Sequence, residues 1–473
     1  MNLFCRLADG LLPFRTGWLL SVFLEDKMKK DTIALSDHFT YKRLIRFTLP
    51  TIAMMIFTSI YGVVDGYFIS NYVGKTPFAA INLIMPFIMI VGGTGFMIGT
   101  GGTALTAKIL GEGNPKEANN CFSMMTLFAA ALGVALSILG IVFMRPVSLL
   151  LGATEDMLPD CMTYGNLMMA FNVLFMLQNL FQTFLVAAEK PKLGLIATIA
   201  AGCTNMVLDA LFVGVFHWGV AGAAWATGVS QLVGTVIPMI YFISSKKSPL
   251  RLRWVRLRIR PILSACANGS SELMSNISGS VVAMLYNFQL LRFAGEDGVS
   301  AYGVIMYVLF IFVALYVGYA VGVSPIVSYH YGAKNTDELK SLLRKSSVLM
   351  TITGVCMTVA AVLLSTPLAK LYVGYDADLY ALTNHAMRIY SVHFVLTGLN
   401  IFASSFFTAL NNGGVSAAIS FLRTLIFQAA SVLLLPLVLG ADGIWWAVTV
   451  AEVFAFIISV CFLIGKRKQY NYF

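Results

Sequence analysis

Twelve times along this chain a run of about 20 or more residues passes almost without a charge, long enough as a helix to cross the hydrocarbon of a bilayer. The runs fall at 44–71, 77–108, 116–143, 157–187, 190–215 and 219–245, then at 262–292, 298–331, 338–366, 377–409, 413–439 and 441–465. Backbone N–H and C=O groups find no water in hydrocarbon, so a spanning segment of this length must pair them internally as a helix. Composition agrees: 58% of the residues are hydrophobic and 11% charged, outside the range of soluble globular domains. The expected fold class is an all-α polytopic membrane protein with twelve transmembrane helices.

The second half repeats the first at an offset of 221 residues. Gly74 pairs with Gly295, Gly111 and Asn114 with Gly332 and Asn335, and Pro146 with Pro367. Phe181 pairs with Phe402, and Gly219, Gly222 and Trp225 with Gly440, Gly443 and Trp446. Six spans per half is an even number, so both halves enter from the same side. The repeat is therefore parallel, about an axis along the membrane normal, as in some secondary transporters. The organisation read from this is two pseudo-symmetric six-helix lobes, 44–245 and 262–465, a basic linker 246–261, and tails 1–43 and 466–473.

The net charge of +10 is a topology signal, not a nucleic-acid footprint. With a cytoplasmic N-terminus, 26 of the 32 Lys and Arg fall on the inner side and four (Lys75, Arg145, Arg292 and Lys370) on the outer. The positive-inside rule then places both termini and the linker in the cytoplasm. Within 246–261, cations that hold topology and cations that bind anionic lipid headgroups are both open readings. The tail 1–27 carries an apolar stretch too short to span, followed by Glu25-Asp26-Lys27 where a secretory signal needs small residues. Met28-Lys29-Lys30 resembles an ordinary start, so 1–27 reads as an upstream extension or an interfacial tail. The seven cysteines are scattered, without a CxxC pair, and suggest neither disulfides nor a zinc site.

Of the 22 acids, Asp65, Asp209, Glu272 and Glu452 lie well inside spans, where a charge is costly and marks function. Asn205 sits one turn before Asp209 on the same face. By helix rise, Asp65, Asp209 and Thr227 lie roughly 9–12 Å below the outer surface. Their repeat partners are Tyr286, Ala430 and Val448, and that of Asn205 is Ile426, so the polar set belongs to one lobe. Two carboxylates with amide and hydroxyl oxygens at one depth suit a proton or a small hard cation such as Na+. The bland alternative is that each acid caps backbone groups or bonds a neighbouring helix.

At these residues the chain resembles the multidrug and toxic compound extrusion (MATE) family, closest to its MepA-like branch. The likeness runs through Leu49-Pro50, Tyr61-Gly62-Val63-Val64-Asp65, Asn205-Met206-Val207-Leu208-Asp209 and Gly219-Val220-Ala221-Gly222-Ala223-Ala224-Trp225-Ala226-Thr227. It continues in Gly322-Val323-Ser324-Pro325 and beyond, and covers about residues 40–465. The resemblance implies a first-lobe cation or proton site at Asp65, Asn205, Asp209 and Thr227, with Tyr61 one turn before Asp65. It also implies a bending first helix, for which Pro50 fits a hinge. A second-lobe acid known from another branch falls here near Ser280. That site is therefore expected to be absent, with Glu272 closing a gate, joining the proton route, or bonding helix-end groups near Asn268 and Ser271.

Arg388 and Arg423 could hold anionic partners, though snorkelling to a span end is the reading expected, and Glu452 and Gln231 are expected to bond between helices. Met54, Met55, Met85, Met89, Met168, Met169 and Met176 suit helix packing or an adaptable pocket. Asn172, Gln178, Asn179 and Gln182 are the better candidates for a substrate lining, because amides in hydrocarbon need partners. No Walker A sequence or HExxH is present, so neither ATP-driven nor zinc-enzyme chemistry is indicated, and no cofactor is expected. The expected function is a monomeric secondary antiporter, moving cationic amphipathic organic compounds out against H+ or Na+. The alternative is a flippase for a lipid-linked saccharide, which would want cations in its cavity; a channel is a third, weaker class.

Overall fold

A computed structural model describes residues 33–245 and 248–472, and every regular element among them is helical. The first half contains α1 (Tyr41–Tyr72), α2 (Lys75–Gly111), α3 (Pro115–Leu150), α4 (Leu158–Ala187), α5 (Pro191–Asp209) and α6 (Gly219–Ser244). The second contains α7 (Ile259–Gly332), α8 (Thr336–Val373), α9 (Ala377–Tyr390), α10 (Phe394–Ala409), α11 (Gly413–Phe421), α12 (Gln428–Leu434), α13 (Pro436–Leu439) and α14 (Ala441–Tyr470). Eleven helical stretches among the described residues are long and apolar enough to cross a membrane, against twelve predicted spans. The difference is α7, whose 74 residues contain the seventh and eighth spans on either side of a break at Gly295 (φ 64°, ψ −157°).

The repeat is written in the backbone. Positive φ recurs at pairs separated by 221 residues: Gly74 (115°) and Gly295 (64°), Gly113 (79°) and Lys334 (55°), Gly219 (60°) and Gly440 (61°). The first and third pairs turn the chain between successive spans, where a left-handed residue without a Cβ costs least. The second pair closes the turns at the ends of α2 and α7. There Asn114 and Asn335 cap the next helix by accepting from Glu117 N (3.3 Å) and Glu338 N (3.1 Å).

The two lobes cross reciprocally at the end that carries the linker, called the basic end below. A Cβ on Gly111 would collide with the Tyr329 carbonyl, and one on Gly332 with that of Lys108. Each contact is the other shifted by 221 residues, as expected for a pseudo-twofold axis. Deeper in, Gly101 meets the Ala265–Gly269 backbone, and its partner Gly322 meets Thr48 at 3.0 Å. Small residues let these helices approach to backbone contact.

Within each lobe, aromatic and thioether side chains fill the core. Phe122, Phe181, Phe184 and Phe242 pack in the first lobe, and Tyr316, Phe402, Phe406 and Phe407 in the second. Met144 and Met169 fill space left by Gly165 and Gly140, and Met54, Met168 and Met176 are likewise buried. These methionines are packing. The outer faces present residues such as Val142, Phe143 and Leu363, all more than half exposed, a surface suited to lipid. Pro50 lies buried inside α1, which continues through it unbroken.

Two extended segments strap the basic end. Residues 33–40 bridge the lobes: Leu35 N donates to Glu189 Oε1 (2.7 Å) in the α4–α5 turn, and Phe39 N to Glu338 Oε1 (2.9 Å) on α8. His38 Nδ1 stands 2.6 Å from Glu338 Oε2, and Leu35 and Phe39 are buried. Burial pushes the Glu189 carboxyl above its ordinary range, against the opposing pull of the Leu35 N–H. The linker lies along α3, with Arg253 N donating to Ser123 Oγ (3.0 Å), which donates in turn to Arg251 O (3.0 Å). Arg258 pairs with Glu117, and Trp254 is 90% exposed. The tail 1–27 and linker residues Lys246 and Lys247 lie outside the described residues.

Candidate functional site

Three helices of the first lobe bring the sequence-predicted residues together. α1 supplies Tyr61 and Asp65, α5 supplies Asn205 and Asp209, and α6 supplies Thr227. Asp209 is the last residue of α5 before a wide π-helical turn, Ala210–Val215, a device that re-aims side chains and recurs at functional sites. Asp209 and Asn205 are fully buried. Asn205 Nδ2 donates to Thr227 Oγ1 at 3.4 Å, which leaves its carbonyl oxygen free to turn inward. The Asp65 and Asp209 carboxyls lie within electrostatic reach of each other, and Tyr164 of α4 lies in the field of both. Tyr61 reaches the cluster across Gly202, where a Cβ would stand 2.9 Å from its ring.

The cluster is rich in acceptors and short of donors. Oδ1 of Asp65, both carboxyl oxygens of Asp209 and Oδ1 of Asn205 are shut off from solvent without a hydrogen-bond partner, as is the Tyr164 hydroxyl. Ionised carboxylates can only accept, so their unmet capacity calls for a proton or a cation. All the oxygen types present suit a hard monovalent cation. No cluster of three or more His, Cys, Asp or Glu able to hold a metal occurs among the described residues. Tyr164 was missed in the sequence, where hydropathy does not separate it from the packing aromatics around it.

The repeat-equivalent place in the second lobe is apolar. Tyr286 stacks on Tyr302 with ring centroids 5.0 Å apart, and Val448 packs in the same core. That lobe buries charge elsewhere. Arg423 of a second π-helical turn, Leu422–Phe427, forks onto Glu452 of α14, with Nε 2.9 and 3.1 Å from the two oxygens and the terminal nitrogen 2.9 Å from Oε1. Asn400 Nδ2 adds a bond to Glu452 Oε2 at 2.6 Å. The expectation that Arg423 snorkels is thus wrong. The wide turn aims its side chain, 14% exposed, at an acid that is 1% exposed, and the two charges compensate inside. Comparing repeat partners could have found the pair, since Gly202 and Gln231 stand at these positions in the first lobe.

Arg388 is exposed, as expected, and donates to Ser365 (3.3 Å) and Thr366 (3.2 Å) of α8. Gln231 forms no hydrogen bond among the described residues, contrary to expectation; its Oε1, like Gln178 Oε1 and Asn172 Oδ1, is buried without a partner. The four amides of α4 do not share one surface. Gln178 lies against Gly234 of α6 and Gln182 Nε2 donates to Thr198 of α5 (3.1 Å), while the Asn179 backbone lies beside Gly99 of α2. Asn172 turns to Met176 Sδ on its own helix.

Glu272 lines a small, partly open cavity between the lobes. Thr100, Thr103 and Thr183 line it from the first lobe and Ser324, Ser405 and Thr408 from the second, together with Val317, Ala320, Val321 and Ile401. Asn268 and Ser271 bond Thr408 and not Glu272, which makes no hydrogen bond among the described residues.

The sequence profile of the MatE family matches residues 50–211 and 273–432. The chain is 21% identical over 414 residues to the multidrug export protein MepA of Staphylococcus saprophyticus, covering 87% of this chain and 91% of the relative. It is 21% identical over 416 residues to MepA of Staphylococcus aureus, again with 87% and 91% covered. Among solved structures, an outward-facing multidrug resistance MATE transporter of the MOP superfamily superposes with a TM-score of 0.86 at 20% identity, over 92% of this chain and 97% of the other. A MATE crystal structure in complex with MaL6 gives 0.85 at 19% identity and the same coverage.

Proposed function

This chain belongs to the MatE family of transporters, and from that premise we propose that it is a secondary antiporter exporting cationic amphipathic organic compounds in exchange for H+ or Na+. Asp65, Asn205, Asp209 and Thr227, with Tyr61 one turn before Asp65, form the coupling site. The observation that carries this reading is the buried meeting of Asp65 and Asp209, with carboxyl oxygens left unpartnered, in one lobe only. A proton or Na+ entering this cluster changes its charge and hence the relative free energy of the outward- and inward-facing states. Pro50, which leaves an α1 carbonyl without its helical donor, serves as the hinge through which α1 responds. The lobes 44–245 and 262–465 rock as two bodies in a bacterial plasma membrane, with the basic end cytoplasmic, and the protein works as a monomer. The reciprocal glycine crossings at that end are consistent with a state closed to the cytoplasm.

The test is cargo flux in proteoliposomes under an imposed pH gradient or an imposed Na+ gradient. Uphill accumulation with one gradient identifies the ion. Flux that ignores both gradients overturns the antiport reading.

A further inference from the structure

We infer that the linker and the first turn of α7, residues 250–260, form a docking surface for anionic phospholipid headgroups, with Arg253, Arg256 and Arg260 set around an exposed Trp254. The surface lies at the right level by construction. α6 ends at Ser244 and α7 begins at Ile259 on the same side of the molecule, so the chain between them is tied to two membrane spans. Hydrogen bonds then hold it against the lobe and keep it from looping away. Arg251 N donates to Asn119 Oδ1, Leu252 N to Phe242 O in the last turn of α6 (3.0 Å) and Arg258 N to Met124 Sδ of α3 (3.1 Å). With the Arg253 bond to Ser123, both ends of the strap are fixed.

The fixed backbone gives the strap two faces. Inward, Leu250 is buried, and Leu252 and Val255 pack against the first-lobe core that holds Phe122 and Phe242. Outward stand Trp254, Leu257 (51% exposed) and Ile259 (72% exposed), with the exposed side chains of Arg253, Arg256 and Arg260 among them. Residues 248–261 hold five arginines and no acid. Glu117 of α3 compensates Arg258, while Arg253, Arg256 and Arg260 form no ion pair among the described residues. Topology alone needs only the cations. It needs neither a pinned backbone nor apolar side chains turned outward. An indole with an apolar body and one N–H favours the boundary between hydrocarbon and water. Beside it, a guanidinium fork matches a phosphate better than any neutral headgroup group. Cations and apolar residues on one face at headgroup level therefore fit an anionic lipid, not a soluble polyanion, which would leave the apolar residues unused.

The experiment reconstitutes the full-length purified protein into phosphatidylcholine vesicles in which one lipid in five carries bromine on its acyl chains. That lipid is either phosphatidylglycerol or phosphatidylcholine, and Trp254 quenching is read as wild type minus Trp254→Phe. Brominated phosphatidylglycerol is expected to be enriched at Trp254 about fivefold over brominated phosphatidylcholine, the worth of one cation at an anionic surface. The enrichment should fall as salt is raised. The variant Arg253→Gln/Arg256→Gln/Arg260→Gln, at positions that packing does not use, should be quenched equally by the two lipids. Arg253→Lys/Arg256→Lys/Arg260→Lys, which keeps the charge, should retain a preference. Equal quenching by the two lipids in wild type overturns the proposal, and so does a preference that survives the triple glutamine variant. A Trp254 untouched by either brominated lipid but quenched by aqueous iodide faces water, which overturns the lipid reading in favour of a soluble anion.

Discussion

Removing the guanidinium at Arg423 should damage this protein more than removing both partners of its ion pair. Arg423→Met leaves the Glu452 carboxylate 1% exposed, with Asn400 Nδ2 as its remaining side-chain donor. Breaking a buried pair from one side costs about 3–5 kcal/mol, because the surviving charge keeps its desolvation penalty. In a thermal scan of detergent-solubilised protein this corresponds, for a chain of this length, to a midpoint lowered by about 3–5 °C. The double variant Arg423→Met/Glu452→Leu removes both charges at similar volume. Asn400 then still has the Glu452 backbone carbonyl at 3.0 Å. Its cost should stay below about 1.5 kcal/mol, giving a coupling of roughly 2 kcal/mol or more between the sites. A single variant costing under about 1 kcal/mol, or a double variant as damaging as the sum of the singles, would refute this view of the second lobe.

Other expected outcomes concern the basic end. Gly111→Ala puts a methyl into the Tyr329 carbonyl and should force the lobes apart; maleimide labelling of a Thr48→Cys reporter, in a background without the native cysteines, should rise several-fold, and unchanged labelling contradicts the crossing. Glu189→Ala removes the acceptor of the Leu35 N–H and should cost about 1–2 kcal/mol in a thermal scan. The carboxyl of Glu189 is raised by burial above 4.5, so its contribution favours the fold at low pH and is lost as pH rises through the raised value. Glu189→Gln keeps an acceptor without the charge, and should match or exceed wild-type stability at pH 8 while flattening this part of the pH profile. A steeper profile in Glu189→Gln would contradict that sign.

Much of this was legible in the sequence because membrane solvent makes position informative. An acid in hydrocarbon needs a reason, so Asp65 and Asp209 stood out, and helical spacing tied Asn205 to Asp209. The repeat paired Gly74 with Gly295 and Gly219 with Gly440, and the structure gives the reason: each pair holds a positive φ that glycine adopts cheaply. What escaped was set by packing direction. Hydropathy does not say that a π-helical turn aims Arg423 inward to Glu452 instead of outward to the interface. Nor does it say that Gln178 and Gln182 face different helices from Asn179, because four amides within three turns look alike in one dimension. The hydroxyl wall around Glu272 was equally hidden, assembled from α2, α4, α7 and α10 by lobe contact.

The most direct test of the coupling site is uphill export of a fluorescent organic cation from proteoliposomes under the driving gradient, comparing wild type with Asp65→Asn and Asp209→Asn. Each substitution keeps the side chain's shape and removes its charge. The expected result is gradient-driven accumulation by wild type and none by either variant, with both variants reconstituting at wild-type levels. Wild-type accumulation by both variants would contradict the assignment of ion coupling to the meeting of Asp65 and Asp209.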